Sequence, residues 1–467
     1  MKVRQSPFKI DITNGPIDRN DAIQIDYQKC IGCQMCAKTC TDSQNFNIFK
    51  ISAPKTKPFV NAYGSVAEGT ERNALAGTDC TGCGACVRAC PVEALMPAFN
   101  IRPVLEQISE KKKVTIAVIA PSTRVGLAEG MGMGVGVTAE RQMVYELKQM
   151  GFDYVFDNMW GADATTTEDA KEILKAKAAG KTAFTSCCPA WVKLVETTYP
   201  ELLPNISSAR SPHGIICSVI KKYFAKDIGK KADELYVVGV MPCTAKKNEA
   251  ARKELTTDGS PDCDISITTR ELMAYLKEKK VTFSAAREIE LKDNVQAQYD
   301  APFNTFSGSA YIYGKTAGVT EAVVRYVCAI KKVPFSVGMI TKELIWENKL
   351  HSSSLTLLTF SAAGEDYRIC VSYGGLAAHK AVELYKSGEL KVDAVEVMVC
   401  PGGCVGGGGQ PKQPKKDMIL KRHEGLDKHD KEAPYSNCTE NPTLNEFYER
   451  IGTDVHHVMH TTYSAYK

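Results

Sequence analysis

Eighteen cysteines dominate the chemistry of this 467-residue chain, and eight of them fall into two copies of one pattern. Cys30-x-x-Cys33-x-x-Cys36-x-x-x-Cys40 is followed by Cys80-x-x-Cys83-x-x-Cys86-x-x-x-Cys90-Pro91, with Thr41 where a proline would close the first run. Three thiolates at this spacing wrap one cubane iron–sulfur cluster, and the fourth cysteine of each run serves the other cluster. The spacing assigns Cys30, Cys33, Cys36 and Cys90 to one [4Fe–4S] cluster, and Cys80, Cys83, Cys86 and Cys40 to a second. Zinc is the competing occupant, but doubled runs without an interleaved histidine do not match its usual ligand sets. Two such clusters form an electron wire, tuned by hydrogen bonds to sulfur and by solvent exposure.

A second set, Cys187-Cys188, Cys243, Cys400 and Cys404, is scattered along the chain, so only a fold can bring it together. Its members follow apolar β-type runs: Thr182-Ala183-Phe184, Leu235 to Met241, and Val395 to Val399. Val114 to Ile119 is another such run, and Glu140 to Met150 has the apolar period of an amphipathic helix. Strand alternating with helix predicts a mostly parallel α/β sheet, whose ligands gather beyond the carboxyl ends of the strands. The segment holding the two cysteine runs is polar between them, which suits a small α+β module shaped by its clusters. The expected division is 1–104 for that module, 105–415 for a larger α/β domain and 416–467 for a C-terminal tail.

Apolar residues make up 44% of the chain, enough for a substantial core. A net charge of +4 gives no case for nucleic acid or a membrane surface as partner. No apolar run approaches the ~18 residues needed to span a bilayer. The opening residues MKVRQSPFKIDITNG carry an early Asp11 and no apolar stretch, so no secretory leader is expected and the chain is placed in the cytoplasm. In that reducing compartment, cysteines serve metals and redox chemistry more than disulfides.

Three segments carry a family resemblance: Thr185-Ser186-Cys187-Cys188-Pro189-Ala190-Trp191, then Met241-Pro242-Cys243-Thr244-Ala245-Lys246-Lys247-Asn248-Glu249, then Glu396 through Cys400-Pro401-Gly402-Gly403-Cys404 to Pro411. Each resembles one of the signature motifs of the [FeFe] hydrogenases, and the N-terminal module resembles a bacterial two-cluster ferredoxin. The resemblance implies two lobes around an H-cluster, a [4Fe–4S] cluster joined to a diiron subsite with carbon monoxide, cyanide and a bridging dithiolate. It implies Cys188, Cys243, Cys400 and Cys404 as ligands, with Cys404 also bridging to the diiron subsite. Lys246 and Ser122, with Pro121 beside it, would face the cyanides, and Met241 and Met398 would pack against the subsite. Gly402 to Gly409 is expected to cradle the cofactor, because glycine lets backbone approach closely.

The implied activity is reversible oxidation of H2 to protons, with a ferredoxin as electron partner and the chain as a monomer. Cys187 would be the innermost proton donor, fed through Asp169, Ser207 and Glu172. Thr165-x-x-Glu168 predicts a helix start, placing Asp169 and Glu172 on one face, where acids also complement the helix dipole. Several residues depart from the family pattern: Asp169 for a longer glutamate, His213 for glutamine, Tyr313 for phenylalanine, Ala317 for glycine, Thr320 for methionine and Val399 for alanine. Cys217, Cys263, Cys328, Cys370 and Cys438 have no ligand spacing and read as buried or partly exposed thiols. The histidines His456, His457 and His460 read as packing of the tail. Competing readings are a sensory hydrogenase and a non-catalytic iron–sulfur assembly or prelamin-recognition relative.

Overall fold

The computed structural model describes residues 17–51, 60–62, 75–412 and 417–466. The opening segment read for a leader and much of the polar stretch between the cysteine runs lie outside them. The N-terminal module has a three-stranded antiparallel sheet, Ile17–Arg19, Ile23–Asp26 and Leu95–Pro97. Two short helices, Met35–Lys38 and Ala85–Ala89, each open on the third cysteine of a run. Its core is small, with Ile23, Ile25, Leu75 and Val87 packed among Cys36, Cys40, Cys80, Cys86 and Cys90. Thiols fill much of the space that aliphatic side chains fill in a larger domain.

The remainder is built on two sheets. The first is wholly parallel, in the order Ile265–Thr268, Leu235–Met241, Val114–Ile119, Tyr154–Asp157. Its two central strands are apolar along their length because helices cover both faces. The helix Ile101–Glu110, at the expected module boundary, belongs to this packing, since Ile101 and Val104 are buried among Ala117, Ile119, Val238 and Val240.

The second sheet runs Thr341–Asn348, Ser353–Ala362, Glu365–Tyr373, Ala394–Met398, Ala183–Phe184. The first three pair antiparallel and only the last two pairings are parallel, so the expectation of mostly parallel sheets holds for one sheet and half of the other. The antiparallel meander is joined by short turns, which a parallel crossover could not use.

The expected helix start at Thr165 is also corrected. One helix runs from Met159 to Ala178, and nearly every residue from Met159 to Ala170 is buried. A helix buried all round loses the amphipathic period that would have revealed its true beginning. Thr165 makes a tertiary bond instead, donating to the Arg210 carbonyl at 3.1 Å. Asp169 and Glu172 therefore sit in mid-helix, where the dipole argument does not apply. The tail adds the helices Asp417–Glu432 and Pro442–Ile451, anchored by buried Arg422 on Glu129 and by Leu444, Phe447 and Ile451 in the main core. Among the described residues no helix is long and apolar enough to cross a membrane.

Candidate active site

Both sheets send strand ends to one buried cavity. From the parallel sheet come Ala120, Pro121 and Ser122 after Val114–Ile119, Asn158 after Tyr154–Asp157, and Met241, Pro242 and Cys243 at the end of Leu235–Met241. From the mixed sheet come Cys187 and Cys188 after Ala183–Phe184, and Met398, Val399 and Cys400 at the end of Ala394–Met398. Lys246, Tyr313 and Cys404 complete the lining. The walls are mostly apolar, so the few polar groups face little competing water.

Lys246 Nζ donates to Ser211 Oγ and to Glu249 Oε2, both at 2.7 Å. An ammonium has three donors, which leaves one for the cavity. Burial would discharge this lysine, but Glu249 beside it outweighs that and raises its pKa. Glu249, a residue the sequence reading passed over, is held down to about 2 against its own burial by Lys246 and His213.

Cys30, Cys33, Cys36 and Cys90 line one small cavity, and Cys86 feels the charges of Cys83, Cys80 and Cys40, and least that of Cys36. None of the three all-sulfur sets is drawn to single-ion spacing; among the described residues that is reached by His213, Cys217 and Cys263, whose ligand atoms lie within 4.8 Å of one another. All-thiolate sets too open for one ion fit four-iron clusters.

The second set abuts the cavity: the Cys83 carbonyl lies 3.9 Å from Cys400 Sγ. Arg88 donates to the Gly406 carbonyl at 2.7 Å and Thr244 to the Gly82 carbonyl at 2.6 Å, fixing the module in place. The expected glycine cradle is divided in its work. Gly403, at φ 82°, and Gly407 line the cavity, whereas a Cβ on Gly408 would come within 2.6 Å of Gly84 Cα, so that glycine serves the contact between module and domain.

On the opposite side, Ser207 Oγ donates to Asp169 Oδ1 at 2.6 Å. Burial raises the Asp169 carboxyl to about 7, Ser207 notwithstanding. Its Oδ2 is buried without a partner, whereas the buried Tyr313 hydroxyl has Thr166 beside it, and both Asp169 and Cys187 lie near enough to act on that phenol. Burial pushes the Cys187 thiol well up, and Asp169 adds to this. Glu172 accepts from Ser208, through both its backbone N–H and its hydroxyl, and has Ser207 within reach. Burial opposes its charge, but His460 and these hydroxyls bring it down to about 2.

His460 is the residue missed on this side, read as tail packing. Its Nε2 meets Glu168 at 3.0 Å and its Nδ1 lies 3.4 Å from Glu172, which raise it to about 9 against its burial. Nothing local in the sequence ties position 460 to positions 168 and 172. One departure gains a local reason: Thr320 donates twice to Glu396 Oε2, each at 2.7 Å, whereas Ala317, at a φ of 64° that suits glycine, donates only its backbone N–H to Oε1 and its side chain has no structural explanation. Tyr313 and Val399 line the cavity itself.

Fold and site define an iron–sulfur redox protein, with a two-cluster module set against a cysteine-lined cavity that a chain of acids approaches from behind. The family model for the C-terminal domain of the iron-only hydrogenase large subunit matches residues 113–408, that for the 4Fe-4S dicluster domain residues 29–95, and that for the iron hydrogenase small subunit residues 416–466. The chain is 33% identical to the NADP-reducing hydrogenase subunit HndD of Solidesulfovibrio fructosivorans, over 99% of its own length and 78% of that protein. It resembles the solved [FeFe]-hydrogenase HydA1 from Chlamydomonas reinhardtii with TM-score 0.67 and 29% identity, over 78% of this chain and 98% of that one. It is also 28% identical to the cytosolic Fe-S cluster assembly factor narfl of Danio rerio, over 76% of this chain and 88% of that protein. The chain belongs to the iron-only, or [FeFe], hydrogenase family. Its cofactors are accordingly [4Fe–4S] clusters and an H-cluster.

Proposed function

We propose that this chain interconverts H2 with protons and electrons, taking electrons through its N-terminal cysteines and protons through Glu172, Ser207, Asp169 and Cys187. One observation carries the reading: a single buried cavity gathers Cys187, Cys188, Cys243, Cys400, Cys404 and Lys246, with the Cys83 carbonyl against one wall and Asp169 acting on another. Cys188, Cys243, Cys400 and Cys404 would hold the H-cluster, and the two crossed sets would hold the [4Fe–4S] clusters. When bound, the H-cluster supplies the redox-active iron at which hydrogen is made or split.

The protein's own residues handle orientation and protons. Lys246, with one donor unspent, and Ser122 hold anionic ligands of the cofactor, while Met241 and Met398 exclude water. Cys187 Sγ carries the innermost proton, Asp169 passes protons to it from Ser207 Oγ, and Glu172, 27% exposed at the side chain, meets solvent. A carboxyl raised to about 7 both takes and gives a proton at neutral pH. The Tyr313 hydroxyl, near enough to feel both Asp169 and Cys187, would pass the proton across the inner gap.

Electrons enter where Cys33 is exposed, between Ile31 and Met35, which are 60% and 47% exposed, with Lys29 and Lys38 beside them. An apolar patch edged by lysine suits a small acidic ferredoxin. The same reading divides the chain near residues 100 and 415, the first boundary moving from 104 to before the helix Ile101–Glu110, and places it, reduced, in the cytoplasm. An assembly role like that of the Danio rerio relative does not call for Cys187 and an acid chain behind it.

The test is hydrogen evolution from reduced methyl viologen, using reconstituted protein loaded with a synthetic diiron cofactor. Turnover that drops at least ~100-fold in Cys187→Ala supports the enzyme and its proton donor together. Loaded protein that makes no hydrogen rejects the enzyme reading.

A further inference from the structure

Away from the cavity, three residues meet in the dry interior. His213 and Cys217 stand one turn apart on the helix Pro212–Val219, and Cys263 lies just before the strand Ile265–Thr268. Their accessibilities are 1%, 0% and 5%, and one ligand atom from each lies within 4.8 Å of the other two. Cys217 and Cys263 are buried thiols, as their lack of ligand spacing led one to expect, but helix and sheet bring them together where the chain does not.

His213 Nδ1 pairs with Glu249 Oε2 at 3.2 Å, while the buried Nε2 has only the Cys263 sulfur as a polar neighbour, beyond good hydrogen-bond geometry. A thiol is a weak partner for a ring nitrogen in a water-free core, and an ion between the two would satisfy both. A carboxylate on the far nitrogen is the arrangement that orients a metal-binding imidazole. Space is kept open on the strand side: a Cβ on Gly239 would sit 2.5 Å from Nε2 and 2.9 Å from Ser266 Oγ. Ser266 Oγ in turn lies 3.8 Å from Cys263 Sγ.

We propose that His213, Cys217 and Cys263 bind one zinc ion, with the fourth position toward Ser266. Two thiolates and a neutral imidazole are a usual donor set for zinc, and with a divalent ion they sum to no net charge, which a buried site requires. Glu249 is not needed for that balance, because Lys246 already pairs with it at 2.7 Å. Binding displaces both thiol protons, which leave to solvent as the two Zn–S bonds form. Zinc–sulfur and zinc–nitrogen lengths place tetrahedral ligands ~3.8 Å apart, so the ion draws the three side chains together by up to about 1 Å. The site staples the helix to the parallel sheet. Through one Glu249 oxygen, it also shares a partner with the cavity lysine. It stands apart from the hydrogenase reading and survives that reading's failure.

The experiment counts zinc and iron by mass spectrometry in full-length protein purified without oxygen and with its clusters in place. One zinc per chain is expected, falling at least tenfold in Cys217→Ser and in His213→Gln, with iron and cluster absorbance unchanged. His213→Gln keeps volume and both thiols, so it reports even where the serine variant fails to fold. X-ray absorption at the zinc edge should give two sulfur neighbours with nitrogen or oxygen completing the shell. Zinc that persists in both variants with four sulfur neighbours has replaced cluster iron, and overturns the site. So does protein that stays zinc-free after dialysis against zinc chloride, or a peptide mass showing a disulfide between Cys217 and Cys263.

Discussion

The two approaches to the cavity are built differently. On the electron side, cysteines three positions apart face one another across short helices, and the contact to the cavity is made by backbone, the Cys83 carbonyl against Cys400. On the proposed proton side every link would be a titratable or hydroxyl side chain: Glu172 and Asp169 from one helix, Ser207 from a loop, and His460 from the tail. Electrons cross gaps between rigid centres without atoms moving, so that side needs stiffness. Protons move only along hydrogen bonds, so that side needs groups poised to exchange them. The difference predicts opposite sensitivities: the proton side should fail on loss of one oxygen atom, the electron side on loss of one cluster.

The largest effect is expected at Asp169. Asp169→Asn keeps the shape and the bond to Ser207 but cannot carry a proton, and turnover should fall by roughly 10²–10⁴. Stability should move the other way. The folded carboxyl at about 7 lies above its ordinary 3.8, so the aspartate is least costly below the ordinary value, and its cost grows as pH rises through about 7. The asparagine variant should therefore melt higher than wild type at pH 8 and with it at pH 4. Full turnover in this variant would remove Asp169 from the route.

Next comes the electron side. Cys33→Ser should cost roughly tenfold or more in turnover driven by a reduced ferredoxin, while a small viologen, able to reach the inner cluster, restores most of it. Equal losses with both donors would place electron entry elsewhere than the Ile31–Met35 patch.

This asymmetry also explains what the sequence could reveal. Both cysteine runs are local, so spacing alone paired Cys90 with the first set and Cys40 with the second, and the cavity cysteines followed strand ends that β-type runs already marked. The proton side joins Asp169 and Glu172, which a helical period connects, to positions 207, 208 and 460, which no period ties to them. Its helix was misplaced because burial on every side erased the pattern that dates a helix start. His213, Cys217 and Cys263 escaped for the same reason, since their meeting depends on how one helix lies across one strand.

Tyr313 sharpens the comparison further. Asp169 Oδ2 is buried and unpartnered, an expense with no return unless it serves the inner step, and the buried Tyr313 hydroxyl lies near enough to feel its charge. Tyr313→Phe removes one oxygen and leaves the ring in place. Turnover should fall roughly tenfold, as expected for one relay group out of position, with no change in cluster spectra. A variant as fast as wild type would mean that Asp169 reaches Cys187 without help.

The smallest effect should come from the outer end, at His460. This imidazole holds Glu168 and Glu172 ionised, yet Glu172 is already in contact with solvent, and water can do what His460 does for it. His460→Gln should let Glu172 rise from about 2 toward its ordinary 4.5, still ionised at neutral pH, so turnover should stay within about threefold. Stability carries the clearer signature. The histidine is raised to about 9 from 6.5, so the stability it lends is complete below 6.5 and fades as pH climbs through 9. Wild type should exceed the variant most at pH 6 and match it by pH 10, followed by thermal unfolding across that range. A large loss of turnover would instead make His460 the true entrance for protons, and the proton side would then begin on the tail rather than on the helix that bears Asp169.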